Sequence, residues 1–109
     1  MQKFPFSRLN PEAVLNCVES ASGRPLLNVC RPHSSYINRV YELQDEDGEF
    51  LIAKFFRPGR WSEEALLDEL QFVSECAEFD IPVITPSKLE NGSFLDVFEG
   101  IPFALYPKC

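Results

Sequence analysis

One lysine, Lys54, interrupts a run of apolar residues that has the composition and length of a β-strand. Residues two apart share a face of a strand, so Lys54 shares its face with Ile52 and Phe56. The residues of the opposite face are apolar as well, and an unpaired ammonium group is costly to bury. Either the lysine stem reaches water at the edge of a sheet, or the ammonium is held for an anion with a carboxylate nearby.

Glu69 is the best candidate for that carboxylate. Leu66, Leu70, Val73 and Ala77 recur at helical spacing and predict one core-facing stripe. At about 100° per residue, Glu69 lies about 60° from Leu66 on the shoulder of the stripe, whereas Asp68 lies on the opposite face. We therefore predict an ion pair between Lys54 and Glu69. The alternative is a boundary glutamate without a partner.

A third candidate is the short polar segment 34–39, which joins the first two predicted strands. It reads Ser-Ser-Tyr-Ile-Asn-Arg, and small polar residues at such a bend can offer backbone N–H groups to phosphate oxygens. An ordinary polar turn is the alternative reading, because no glycine-rich phosphate motif is present. His33, next to this segment, reads as a lone turn histidine without an assigned role.

These residues depend on a sheet flanked by helices. Asn10 and Pro11 predict the start of a helix that continues to about Ser20, and Ser22-Gly23 predicts its end. The pattern then gives a strand in 24–30, a polar turn over 31–36, a hairpin of strands 37–44 and 50–56, a long helix from Ser62 to about Phe79, and strands 94–98 and 101–106. The fold class is therefore α+β: about five antiparallel strands, one long packed helix and an N-terminal helix.

Composition narrows the class of protein. The chain has 109 residues and a formal net charge of −7, which is unfavourable for binding nucleic acid or an anionic membrane. It has neither a membrane-spanning run nor a secretory signal pattern, so we expect a cytoplasmic protein. Its four cysteines form no C-x-x-C pair and its single histidine stands alone, so we expect reduced thiols and no metal site.

Five stretches in order resemble one family. They are SYINRVY (35–41), QDED (44–47), IAKFFRPGRW (52–61), DELQF (68–72) and IPV (81–83). Together they are similar to the N-terminal lobe of the bacterial aminoglycoside-phosphotransferase and choline-kinase-like group, which has a protein-kinase-like fold. Residues 1–109 would then be the nucleotide-binding lobe, ending at the hinge, with the C-terminal catalytic lobe absent.

The resemblance implies ATP as the ligand and gives the candidate residues specific roles. Lys54 would contact the α- and β-phosphates, and Glu69 would position it. The remaining implied nucleotide contacts are the phosphate-covering loop (Ser34, Ser35, Tyr36, Asn38 and Arg39), the adenine pocket (Ala53, with Ile52) and the strand entering the hinge (Leu105 and Tyr106).

The same resemblance implies that phosphoryl transfer takes place in a lobe outside these 109 residues. The catalytic residues and the Mg²⁺ ligands of the family lie in its C-terminal lobe, so we expect neither catalytic residues nor metal ligands in this chain, and no turnover by it. The full-length parent would transfer the γ-phosphoryl group of ATP to a serine or threonine hydroxyl of a protein. Alternatives are a non-catalytic regulatory or interaction domain of this fold, the same lobe of a small-molecule phosphotransferase, or a five-stranded binding domain unrelated to kinases. Apolar surface left by an absent lobe would favour self-association.

Overall fold

The computed structural model describes residues 9–33, 38–57, 62, 64–70 and 85–107. Its elements are α1 (Pro11–Ser22), β1 (Leu26–His33), β2 (Arg39–Asp45), β3 (Phe50–Phe55), α2 (64–70), β4 (Asp96–Phe98) and β5 (Ile101–Pro107). The strands form one antiparallel sheet in the order β1-β2-β3-β5-β4. The α+β class with five antiparallel strands is therefore confirmed.

Helix α1 begins and ends as its sequence predicts. The Asn10 side chain accepts a hydrogen bond from the Ala13 N–H at 2.9 Å, and Pro11 occupies the first helical position. Gly23 ends the helix in the left-handed region at φ 70°, where its N–H donates to the Glu19 carbonyl. The apolar stripe of the helix packs into the core of the sheet through Val14 and Val18.

The hairpin of β2 and β3 turns around a buried carboxylate. Asp45 Oδ1 accepts hydrogen bonds from the N–H groups of Asp47 and Glu49, and Arg24 contacts Asp45 Oδ2 at 3.4 Å. Gly48 takes the positive φ of 88° that closes the turn. The turn fixes the register of β2 against β3, which begins with Gln44 opposite Phe50. This register sets which face of the sheet each side chain of β3 occupies.

The main core lies between α1 and one face of the sheet. Phe55 at its centre stacks on Phe103 at 4.9 Å between ring centroids and meets Tyr41 edge-on at 5.9 Å. Leu43 and Leu51 lie in the same buried cluster. Because this face is filled by apolar side chains, Lys54 is directed to the opposite face.

Strand β1 is longer than the sequence pattern predicts. The expected turn over 31–36 is wrong for its first three residues, which pair with β2: Arg31 lies opposite Glu42 and His33 opposite Val40. A proline is tolerated at position 32 because β1 is an edge strand, where one side of the backbone needs no hydrogen-bond partner. The predicted helix 62–79 is helical over 64–70, and its continuation lies outside the described residues.

No described helix is long and apolar enough to cross a membrane.

Candidate functional site

Lys54 lies in the middle of the sheet rather than at an edge. Its neighbours across the ladder are Val40 on β2 and Ala104 on β5. The side chain is half-buried, and its Nζ lies 5.3 Å from the centroid of the Phe56 ring. Among the described residues, no carboxylate oxygen lies within 4.0 Å of this Nζ. The lysine side chain is therefore partly covered, and its ammonium group is stabilised by an aromatic face.

Helix α2 covers this face of the sheet. The Ser62 side chain accepts a hydrogen bond from the Ala65 N–H at 3.1 Å, which caps the first turn. Leu66 and Leu70 are buried in a second apolar cluster that also contains Ala104, the ladder neighbour of Lys54. This docking fixes the side of α2 that faces the lysine.

Lys54 and Glu69 line the same cavity, of about 110 Å³, together with Phe56, Leu66, Leu70, Pro86 and Tyr106. The structure thus brings the two predicted residues together. It does not show the predicted ion pair, since their charged atoms are more than 4.0 Å apart. Glu69 is exposed, and an exposed carboxylate keeps its hydration and gains little from pairing.

Tyr106 adds a phenol to this cavity. Burial, followed by the negative charge of Glu69, raises the pKa of Tyr106 to about 12. The electrostatic influence of Glu69 therefore reaches the cavity although the carboxylate itself is exposed. Tyr106 lies opposite Ile52 in the ladder, two residues along the strands from the Lys54–Ala104 pair and on the same face.

Two of the candidate nucleotide contacts face away from the cavity. Ala53 is 0% exposed and Leu105 is 2% exposed, and the two lie opposite each other within the main core. Their side chains are turned toward α1, so only their backbone borders the Lys54 face. Ile52, half-buried, is the side chain that shares that face with Lys54.

The segment expected to cover phosphate is described only at its end. Ser34, Ser35 and Tyr36 lie outside the described residues. The Asn38 side chain accepts a hydrogen bond from the Arg57 N–H at 3.2 Å and so ties the start of β2 to the end of β3. Arg39 is exposed and pairs with Phe55, which places it on the face opposite Lys54.

Sequence reasoning missed a buried carboxylate on the face of Lys54. Glu42 is 5% exposed, and its Oε1 lies 3.1 Å from His33 Nε2. The signal lay in the alternation of β2, because Val40 and Glu42 occupy one face of the strand. This alternation did not identify Glu42 as buried, because burial of its side chain depends on the pairing of β1 with β2. That pairing was not predicted, since residues 31–36 were expected to form a turn.

Comparison with known proteins identifies the family to which this chain belongs. Residues 29–109 match the phosphotransferase enzyme family (APH). The chain is 36% identical over 104 residues to stress response kinase A of Salmonella choleraesuis and to serine/threonine protein kinase RdoA of Salmonella typhimurium, and 35% identical to stress response kinase A of Escherichia coli K12. Each match covers 95% of this chain and 31% of the relative.

The fold of this chain also matches a solved kinase structure. The amicoumacin kinase hAmiN, in complex with AMP-PNP, Ca²⁺ and Ami, superposes with a TM-score of 0.84 at 21% identity, over 100% of this chain and 34% of that one. The fold and the sheet that carries Lys54 are therefore those of a kinase N-terminal lobe. The chain belongs to the phosphotransferase enzyme family. It spans about a third of the length of its relatives named stress response kinase A, and the resemblance that the five sequence stretches indicate is confirmed.

Proposed function

We propose that this chain is the ATP-binding lobe of a bacterial serine/threonine protein kinase. The observation that carries the proposal is the position of Lys54: its ammonium group faces a cavity shared with Glu69 and Tyr106, with no described carboxylate within 4.0 Å. A half-buried cation of this kind gains most from an anion of high charge density, such as a nucleotide phosphate.

Phosphoryl transfer depends mainly on positioning and on charge stabilisation, which are the contributions that a fixed lysine makes. In the proposed bound state, Glu69 turns inward from its exposed position and pairs with Lys54, which lies in the same cavity. The pair then holds the ammonium at the α- and β-phosphates. The cost of burying the cation falls when the carboxylate joins it.

Mg²⁺ and the catalytic residues are assigned to the part of the relatives that this chain does not match. No group of three or more histidine, cysteine, aspartate or glutamate side chains able to hold a metal occurs in the described part of the chain. The name of the structural neighbour, with AMP-PNP and Ca²⁺, supports nucleotide and divalent-cation chemistry in the family. Mg²⁺ would neutralise the developing charge on the phosphates when bound. The 109-residue chain alone is therefore expected to bind ATP without turning it over.

The acceptor is proposed to be a serine or threonine hydroxyl of a cytoplasmic protein. The support is the name of a relative, a serine/threonine protein kinase that is 36% identical over the matched region. Two further proposals accompany this one: stress-related signalling, from the names of the relatives, and self-association of the isolated lobe through uncovered apolar surface.

Nucleotide binding by the 109-residue chain tests the proposal. The dissociation constant of Mg-AMP-PNP is measured by NMR titration for the wild type and for Lys54→Met. Loss of a hydrogen bond to a charged group costs about 1.5–3 kcal/mol, or about 10- to 100-fold in affinity. Lys54 is only half-buried, so we expect the lower end of this range.

Lys88→Met is the matched control, because Lys88 is exposed and borders a different cavity. We expect it to bind as the wild type does. Equal affinity of wild type and Lys54→Met would refute the role of Lys54. Absence of any nucleotide binding in the wild type would favour the non-catalytic interaction domain.

A further inference from the structure

A buried carboxylate and a histidine form a pair on the face of the sheet that carries Lys54. Glu42 on β2 pairs with Ile52 on β3, and Val40 pairs with Lys54, so Glu42 lies diagonally across from the lysine. Its carboxylate is nearly excluded from solvent and lies 3.1 Å from His33 Nε2. Such a carboxylate requires charged or polar partners, since burial without them is costly.

His33 lies in line with the lysine. His33, Val40, Lys54 and Ala104 are successive ladder partners on β1, β2, β3 and β5. Two strand spacings separate His33 from Lys54, which is about 10 Å between backbones. A positive charge on this imidazole would therefore lie on the same face of the sheet as Lys54, at about one Debye length of roughly 0.1 M salt.

The other charges around His33 are placed by the same register. Arg31 precedes it by two residues on the same face of β1 and pairs with Glu42 in the ladder. Arg39, near the facing end of β2, lies on the opposite face of the sheet. Among these residue types, histidine is the one that ordinarily changes charge between pH 5 and 8.

The Glu42 carboxylate lies within hydrogen-bond distance of the His33 imidazole. A protonated imidazole donates a charge-assisted hydrogen bond to the carboxylate, which is stronger than the bond from a neutral ring. The imidazole is 47% exposed, so it exchanges protons with water. Protonation adds one positive charge to the Lys54 face whatever else Glu42 contacts.

We infer that His33, held by Glu42, is a second cationic determinant of the phosphate site and makes nucleotide affinity rise as pH falls. The inference rests on the proposed nucleotide site and adds a regulation to it. If the imidazole is as far from the bound polyanion as the His33 backbone is from that of Lys54, about 10 Å, one unit charge changes affinity by roughly three- to tenfold. The change should shrink at high ionic strength.

The test is the ratio of the Mg-AMP-PNP dissociation constants at about pH 8 and about pH 6, measured on the 109-residue chain at low salt. The nucleotide itself takes up protons in this range, so the ratio is compared between variants. His33→Gln is expected to lower the wild-type ratio three- to tenfold. His33→Arg keeps a cation at both pH values and is expected to lower the ratio equally, with tight binding throughout.

Arg31→Gln is the matched control, because it removes a permanent cation from the same face and strand. It should weaken binding at both pH values and leave the wild-type ratio unchanged. A wild-type ratio retained in His33→Gln, or lost in Arg31→Gln, would overturn the inference while the nucleotide site stands. If the wild type binds no nucleotide at either pH, both proposals fail.

Discussion

Replacing Tyr106 by phenylalanine should make the protein more resistant to alkali. In the folded chain the pKa of Tyr106 is raised to about 12, first by burial and then by the charge of Glu69, against an ordinary value of 10.0. The unfolded chain therefore loses the phenol proton first as pH rises. The contribution of the protonated phenol is complete below pH 10 and is lost between about pH 10 and about pH 12.

The size of the effect follows from the same displacement. A pKa moved from 10.0 to about 12 corresponds to about 2.7 kcal/mol if the group were fully shielded. Tyr106 is only half-buried, so solvent screening reduces the expected value to about 1–2 kcal/mol. This is a substantial part of the stability of a small domain, which is about 5–15 kcal/mol.

Urea unfolding at about pH 9 and about pH 11.5 measures this contribution. Between these values about two-thirds of the contribution is lost, so Tyr106→Phe should lose about 0.7–1.4 kcal/mol less free energy of unfolding than the wild type, because phenylalanine cannot ionise. Other groups titrate in both proteins and cancel in the difference. Equal losses in the two proteins would show that Tyr106 ionises normally, and would refute the close packing of the phenol beside α2 and Glu69.

Two further predictions concern the fold that positions the site. Phe55→Ala should lower the free energy of unfolding by about 3–5 kcal/mol, because Phe55 is fully buried against two aromatic rings. The control is Val97→Ala, which should change it by less than about 0.5 kcal/mol because Val97 is exposed. Gly23→Ala should lower the free energy of unfolding by about 1–2 kcal/mol, because alanine is strained at a φ of 70°, whereas the exposed Glu90 side chain near the new methyl group can move aside. Chemical denaturation measures both differences.

Much of the scaffold follows from local sequence. The cap at Asn10 and Pro11, the end of α1 near Gly23 and the hairpin turn after Asp45 rest on backbone rules that act within a few residues. The face of Lys54 follows from strand alternation. These features were predictable because each depends on neighbours in the chain.

The details of the site depend on contacts between distant segments. The burial of Glu42 requires the register of β1 against β2, including a strand that continues through Pro32. The separation of Lys54 from Glu69 depends on how far α2 stands from the sheet, which helical spacing alone cannot give. Sequence periodicity predicts which side chains share a face, and tertiary packing decides which of them meet.

Covalent labelling with an acyl phosphate of ATP tests the central claim most directly. Such a reagent transfers its acyl group to the amine of a lysine that lies beside the bound phosphates, and mass spectrometry then locates the modified residue. We expect Lys54 to carry most of the label, and excess Mg-AMP-PNP to prevent its labelling while that of exposed Lys88 persists. Labelling of Lys54 that is no greater than that of Lys88 and insensitive to Mg-AMP-PNP would contradict a phosphate site at Lys54.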